Sequence, residues 1–307
     1  RNDRAQEPPV TLLFVNFIDH YSQPLEDGFN RGLAAIETAL EQGLFQYAGW
    51  LAMNASITHF IRGEPLARLV DQCVDLYRMA RDTAHYEDAA NFIAAILHVV
   101  ADLAGRNDVT RLLAERGATP AEVIPALAHY STAAINARVG ILVGAVVAGD
   151  QRTARDLIGP IREGLGALMG LPEPAEFLFF ESLVLADEYG EAGPDRRGEI
   201  TERIEGNLTE LRVWSERCPA NHAHKLPFLE AELQVLRGED PVAAYGTAAE
   251  LAAARRYQHF EGLAWERRAA FLRTADRHEE AGGARERALA TYLRWGALAK
   301  VDALEST

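Results

Sequence analysis

Two histidines and two glutamates are the side chains whose spacing comes nearest to a reactive site. His222 and His224 stand two residues apart, and on a helix that spacing directs the imidazoles to different faces, so a shared metal ion is not expected. Glu181 and Glu188 stand seven apart and share a helix face, but such a pair in an acidic protein is more typical of a solvated surface than of acid-base catalysis. The aromatic run at residues 177–180 favours core packing over a cofactor site. We therefore predict no metal and no cofactor.

The positions of the two lysines, Lys225 and Lys300, argue against several enzyme classes. Neither follows a glycine-rich loop, so the chain lacks the phosphate-binding loop of ATPases and the lysine with a glycine-rich lid of protein kinases. No GxSxG or HExxH motif occurs either. We predict that this chain is not itself an enzyme. A bound metal, or a deep polar pocket with strongly shifted acids, would favour the alternative that it is one.

The net charge of −14 on 307 residues limits the partners of the chain. A nucleic-acid surface needs a basic stripe to displace phosphate counterions, so no nucleic-acid partner is expected. The longest apolar run, Val139 to Ala148, is shorter than the roughly 20 residues of a membrane span, which predicts a buried helix and no membrane association. Cys73 and Cys218 form no CxxC pair and are expected to be packing residues in a reducing, cytoplasmic compartment.

The ends of the chain and its breaks suggest how it is organised. It begins with Arg1 and has no charged-then-apolar leader, which predicts a fragment of a longer protein. Residues 1–9 are polar and proline-ended and are predicted to be a leader or linker, and residues 10–307 a single domain. Gly105 to Pro120 is charged and longer than a repeat turn, which indicates an insertion or a hinge, or else a solvated connector with one short helical turn. Gly190 to Gly198 is a second charged break.

Apolar residues recur at helical spacing through the chain. Residues 200–211 place isoleucine or leucine at steps of 4, 4 and 3, the pattern of a helix with one buried stripe. Ala244 and Ala281 hold matching places in successive hairpins and are 37 residues apart, a spacing typical of helical repeats such as the tetratricopeptide repeat (TPR). Further helices are predicted at residues 11–21, 24–42, 45–61, 65–81, 86–104, 121–130, 132–148, 151–169 and 174–189.

The fold class that this pattern predicts is all-α, a TPR-like α-α superhelix of antiparallel helical hairpins. Stacked hairpins bend into a groove because each repeat is slightly rotated against the last. The alternative is an ordinary globular helical bundle.

Four blocks of sequence carry a resemblance to a known family. They are Glu41–Leu66 ("EQGLFQYAGWLAMNASITHFIRGEPL"), Phe177–Leu185 ("FLFFESLVL"), Trp214–Leu233 ("WSERCPANHAHKLPFLEAEL") and Tyr292–Glu305 ("YLRWGALAKVDALE"). With these blocks the chain resembles the TPR-like helical region of very large bacterial signalling proteins. In that family the region lies between an AAA/STAND-type ATPase module, often behind a serine/threonine-kinase-like domain, and a GAF domain with a histidine kinase.

The third block contains the most distinctive polar residues. The positions that match the family's pattern are Pro219, Asn221, His224, Lys225, Glu230, Ala231 and Glu232. Asn221 is predicted to cap the helix that His224 and Lys225 begin. Lys225 is expected either to form a structural salt bridge or to contact an anionic ligand. The chain departs from the family in the charged loop after Ala104 and in its scarcity of lysine.

The resemblance implies a non-catalytic scaffold or sensor that relays a signal to adjacent ATPase and histidine-kinase modules. Its expected partner is a protein, a peptide or a small effector, with the neighbouring modules of the same protein and a homodimer also open. The alternative is the ligand-sensing superhelix of a large ATP-dependent transcription regulator. Binding is assigned to polar and aromatic residues expected to be exposed on the first helices of the hairpins: Tyr47, Tyr130, Asn136, Arg138, Phe180, Glu181, Asn221, His224 and Lys225.

Overall fold

Helices and the turns between them make up the whole of residues 4–306, the part of the chain that the computed structural model describes (the side chain of Phe29 apart). Three short 3₁₀ turns and one π turn occur besides the α-helices. The predicted all-α class is thus confirmed for these residues. The α-helices are α1 Glu7–Phe17, α2 Leu25–Glu41, α3 Phe45–Arg62, α4 Leu66–Arg78, α5 Glu87–Leu103, α6 Asn107–Glu115, α7 Pro120–Ala126, α8 Ser131–Ala148, α9 Gln151–Gly164, α10 Glu173–Glu188, α11 Pro194–Arg217, α12 Pro219–His222, α13 Lys225–Arg237, α14 Val242–Ala254, α15 Gln258–Thr274, α16 His278–Trp295 and α17 Leu298–Glu305.

Helices that are neighbours in sequence pack as hairpins, among them α2 with α3, α4 with α5, and α15 with α16. The turn residues explain where these helices end. Gly63 ends α3 with φ 80° and Gly238 ends α13 with φ 74°, a left-handed conformation that glycine adopts without steric cost. Pro65 and Pro241 then hold the N-cap positions of α4 and α14.

Four helices, α3, α5, α8 and α10, form a buried layer in which each contacts the next. A Cβ atom on Gly140 of α8 would lie 2.4 Å from Ile96 Cδ1 of α5 and 2.9 Å from Ile57 Cδ1 of α3, so glycine permits this close approach. Within the described residues, α8 alone is long and apolar enough to cross a membrane, but 67% of it is buried inside the protein. The run Val139–Ala148 is thus a core helix, as predicted.

Two segments contain more helix than predicted. Residues 1–3 of the predicted leader lie outside the described part, while residues 7–9 begin α1 and Pro8 is buried. Proline suits the first turn of a helix because the N–H it lacks would have no partner there. The predicted connector at residues 105–120 contains α6, whose Val109 and Leu113 are buried where it packs on α5. Apolar spacing inside these charged stretches outweighed their loop-like composition.

A seam joins the N-terminal and C-terminal parts of the chain; we define it as the contacts that residues 20–25 and 59–66 make with residues 214–225, 257–259 and 295–296. The carboxamide of Asn221 is its centre. Asn221 Nδ2 donates to the carbonyls of His20 and Gln23, both at 3.0 Å, and Asn221 Oδ1 accepts from the Leu25 N–H at 3.0 Å. A single side chain thus satisfies three backbone groups about two hundred residues away.

Two aromatic residues extend the seam. Trp295 Nε1, at the end of α16, donates to the Glu64 carbonyl at 2.9 Å, and its ring stacks on Phe60 of α3. The guanidinium of Arg62 lies 4.9 Å from the centre of the Tyr257 ring, within the range of a cation–π interaction. The last hairpin therefore packs back onto the first ones.

The seam corrects the role predicted for Asn221. The N-cap residue of α13 is His224, which makes no side-chain capping bond. Asn221 lies in α12, and its carboxamide forms its hydrogen bonds with residues 20–25. Those partners are distant in sequence, so local capping preferences could not predict them.

We predict that Asn221→Ala destabilises the protein by about 2–4 kcal/mol, because it leaves buried backbone donors and acceptors without partners. Urea unfolding followed by circular dichroism would measure this. Asn107→Ala, at an exposed position at the start of α6, is the matched control and should change stability by less than about 0.5 kcal/mol. Equal effects of the two substitutions would contradict the role assigned to Asn221.

Candidate functional site: a groove between α9 and α11

A groove of about 920 Å³ runs between the outer helices α9 and α11 and reaches down to α10. Leu178 and Leu185 of α10 form its apolar floor, and Ile158 and Leu165 extend the apolar surface on the α9 side. The volume lies within the range of natural ligand sites. The remaining lining residues are polar or small: Arg162, Glu181, Arg196, Glu199, Glu202, Arg203, Gly206, Asn207 and Glu210.

The polar centre of the groove is an ion pair between Arg162 and Glu181. Glu181 is only 2% exposed, and its carboxylate accepts two hydrogen bonds from the guanidinium, one from Nε at 2.6 Å and one from Nη2. Asn207 Nδ2 of α11 also donates to Glu181, at 2.8 Å. The buried carboxylate is thus paired on both sides, as a buried charge requires. Glu181 had been predicted to be solvated, and that prediction was wrong.

Two unusual positions lie on the helices that border the groove. Pro160 lies inside α9, where it removes one backbone hydrogen bond and crowds the turn before it, and α9 gives way to a 3₁₀ turn at Leu165–Leu168. Gly206 lies inside α11, and a Cβ atom built on it would meet nothing within 4 Å. Glycine in a helix interior costs about 1 kcal/mol relative to alanine. Here it leaves the α11 side of the groove open.

The rim of the groove carries charges of both signs. Arg196 is neutralised by Glu188 at 2.8 Å and by Glu199 at 3.1 Å. Arg203 and Glu202 make no ion pair within residues 4–306 and are exposed. The groove therefore offers an apolar floor flanked by charges that a partner can still pair with.

A second polar cluster lies in the interior, around Lys225 of α13. Its side chain is fully buried, and Nζ donates to Glu176 Oε1 at 2.7 Å and to the Asn221 carbonyl at 3.2 Å. Nζ also lies 5.1 Å from the centre of the Phe260 ring. Burial lowers the pKa of Lys225 and raises the pKa of Glu176, because low polarity disfavours both charges. Of the two roles open for Lys225, the structure shows the salt bridge.

The histidines near Lys225 pack as neutral aromatic rings. His224 stacks on Tyr257 with ring centres 4.4 Å apart, and burial, followed by the Lys225 charge, lowers its pKa well below 6.5. Burial also lowers the pKa of His259 to about 3. His222 instead contacts Trp214 and Lys225. Within the described residues no group of three His, Cys, Asp or Glu side chains could hold a metal ion.

A buried carboxyl group, Glu173, lies at the first turn of α10. Its side chain is almost completely inaccessible, and burial raises its pKa to about 7, while a hydrogen bond with Asn136 of α8 opposes the shift. Asn136 Oδ1 and Glu173 Oε2 have no hydrogen-bond partner. Asn136 is therefore an interior residue that faces α10, not a surface contact.

Two of the predicted tyrosines come together around Trp50. Tyr47 packs edge-on against the Trp50 ring, with centres 5.3 Å apart. Trp50 Nε1 donates to the Tyr86 hydroxyl at 3.0 Å. Burial raises the pKa of Tyr130, and a hydrogen bond with Trp50 opposes that shift. The four rings are half-buried and lie near the starts of α3, α5 and α8.

The nine predicted binding residues thus fall into separate places, and most are less accessible than expected. Arg138 donates to the Ala134 carbonyl of its own helix, and Phe180 packs in the core against Phe179 and Phe260. Glu181 alone lines the groove between α9 and α11. The buried members are Asn136, Phe180, Glu181, Asn221, His224 and Lys225. Their exposure was mispredicted because the inner helices are covered on both faces.

Several groove residues were not predicted from the sequence, notably Arg162, Arg203 and Asn207. Two local signals for them exist, since Pro160 interrupts one helical pattern and Gly206 another. Those signals mark irregularities in helices, but they do not show that the helices face each other.

The chain was also compared with known proteins, and it matches no protein-family model and no curated protein.

We predict that Lys225→Met destabilises the protein by about 3–5 kcal/mol, because it leaves the Glu176 carboxylate buried and unpaired. Adding Glu176→Leu should recover most of that loss, since two apolar side chains need no partner. Arg237→Met breaks the half-exposed pair with Glu205 and should cost less than about 1 kcal/mol. Chemical unfolding of the wild type and the three variants measures these free energies. If Lys225→Met alone were as stable as Lys225→Met with Glu176→Leu, the prediction would be contradicted.

We also predict a pH dependence that Glu173 causes. Its folded-state pKa of about 7 lies above the ordinary 4.5, so the folded protein holds the proton more tightly, and stability falls as the pH rises from 4.5 through 7. Glu173→Gln removes this loss, and its stability relative to the wild type should rise by about 3 kcal/mol between pH 4 and pH 8. Urea titrations at both pH values test it. Glu216→Gln, at an exposed site, should show no such trend.

Proposed function

We propose that this chain is a non-catalytic helical scaffold or sensor, TPR-like in its hairpins, that binds a peptide segment of a partner protein in the groove between α9 and α11. The observation that carries the proposal is the composition of the groove: an apolar floor over α10 with unpaired charges on its rim. An amphipathic segment buries apolar residues in such a groove and pairs its polar residues with the rim.

The lining of the groove supports binding rather than reaction. It includes no histidine, cysteine, serine, lysine or tyrosine, so a hydroxyl, thiol or amine nucleophile with an adjacent histidine base is missing there. Its most buried carboxylate, Glu181, is engaged by Arg162 and Asn207. These pairings orient the guanidinium of Arg162, whose side chain is 31% exposed, toward a bound segment.

The place of this chain in a larger protein is proposed from the resemblance of its four sequence blocks. We infer that it acts in the bacterial cytoplasm as part of a large signalling protein and passes the binding event to adjacent ATPase and histidine-kinase modules. Hairpins that pack in series, α4 with α5 and α8 with α9, and the buried layer that links them support this inference. Rigid stacked helices can move as a body when one face is occupied.

We predict that Gly206→Trp blocks binding, because the indole would fill the open side of the groove. Gly282→Trp is the matched control, since Gly282 also lies at an exposed position inside a helix, with nothing within 4 Å of an added Cβ. Each protein serves as bait in extracts of the cells that make it, and captured proteins are identified by mass spectrometry. A partner of the groove should bind wild type and Gly282→Trp at least about tenfold more tightly than Gly206→Trp, a difference of about 1.4 kcal/mol. Identical capture by all three baits would contradict the proposal.

A further inference from the structure

Helix α1 carries two apolar stripes, and its own chain covers only one of them. Leu12 and Val15 are buried where α1 packs on α2 and α3. Val10, Phe14 and Phe17 follow one another at steps of 4 and 3 and are 48%, 44% and 43% exposed. Such spacing places them in a second stripe along the helix. A helix that is apolar all round is typical of a buried position, so the second stripe indicates a missing neighbour.

The exposed stripe belongs to a larger apolar patch, which we call the α1 patch: Val10, Leu13, Phe14, Phe17, Ile18 and Met169. Leu13 is 55% exposed, Ile18 49% and Met169 83%. Met169 adjoins the stripe because the next residue, Gly170, lies against Phe17. At about 200 Å² for a fully exposed large apolar side chain, the patch offers about 600 Å². Two such patches face to face bury about 1,200 Å², the size at which stable protein interfaces begin.

The charge distribution suits a second copy of the same chain. The protein carries a net charge of −14, yet residues 8–18 include no charged side chain, so two copies meeting at α1 bring no like charges into contact. A uniformly apolar surface is complementary to itself, as a two-fold symmetric interface requires. Helices that bind membrane surfaces are rich in lysine and arginine, and α1 contains neither.

We propose that the α1 patch is a homodimer interface, in which α1 of one copy packs antiparallel against α1 of the second across a two-fold axis. Phe14 lies near the middle of the patch, so the Phe14 side chains of the two copies lie close to each other in this arrangement. The inference is separate from the groove between α9 and α11 and does not depend on what binds there.

A cysteine placed at position 14 tests the geometry directly. The two native cysteines, Cys73 and Cys218, are both buried, so Phe14→Cys introduces a single accessible thiol. Mild oxidation should join two copies through a disulfide, visible as a dimer band on a non-reducing gel. Leu293→Cys is the control, because Leu293 is 60% exposed on α16, which is not part of the patch, and it should give no disulfide-linked dimer band on the same gel.

Light scattering after size-exclusion chromatography tests the energetics. The wild-type chain should elute as a dimer at micromolar concentration, and Phe14→Glu with Phe17→Glu should weaken the dimer at least about a hundredfold. Unfolding midpoints report whether the double variant is folded; Leu293→Glu with Val213→Glu, at two other exposed positions, should leave the dimer intact. A wild-type chain that stays monomeric, a dimer that both double variants retain, or flotation of the wild type with phospholipid vesicles would each overturn the proposal.

Discussion

The structure depends on one hydrogen-bonded connection through Asn221 and Lys225, which lie a helical turn apart. Asn221 binds the segment around residues 20–25, and its own carbonyl accepts a hydrogen bond from Lys225 Nζ, which pairs with Glu176 of α10. The Tyr257 hydroxyl adds a bond to Asn221 Oδ1 at 3.3 Å. Four distant segments therefore meet at two side chains. Since buried polar groups are costly unless satisfied, these segments can pack only in the arrangement that satisfies all of them.

The same connection determines which side chains are covered and which are accessible. Because the last hairpins return to the first, the inner helices are covered, and the histidines between them become neutral stacking groups. Lys225 is engaged by Glu176 and by the Asn221 carbonyl. The open groove lies instead on the outer layer, between α9 and α11. Two glycines thus have opposite uses, since Gly140 brings inner helices together while Gly206 leaves an outer gap open.

The outer surface combines a strongly acidic chain with two apolar regions, the groove floor and the α1 patch. Charge keeps such a protein from associating indiscriminately. Large exposed apolar patches are typical of interaction sites on proteins. The two regions lie on different helices and differ in kind, because the groove has charged walls that can select a partner while the α1 patch has none. The groove proposed for a peptide segment and the patch proposed for a second copy therefore make different chemical demands on a partner.

The sequence by itself determined the helices and the places where they end, since both depend on residues within a few positions of each other. Apolar spacing predicted most boundaries, and the run Val139–Ala148 was correctly predicted to be core. Only the tertiary structure decided which side chains meet. Glu181 pairs with Asn207 across 26 residues, Lys225 with Glu176 across 49, and Asn221 with Leu25 across 196. Exposure was mispredicted for the same reason. Whether a helix has one covered face or two depends on the packing of distant segments, and the local spacing of apolar residues cannot predict that packing.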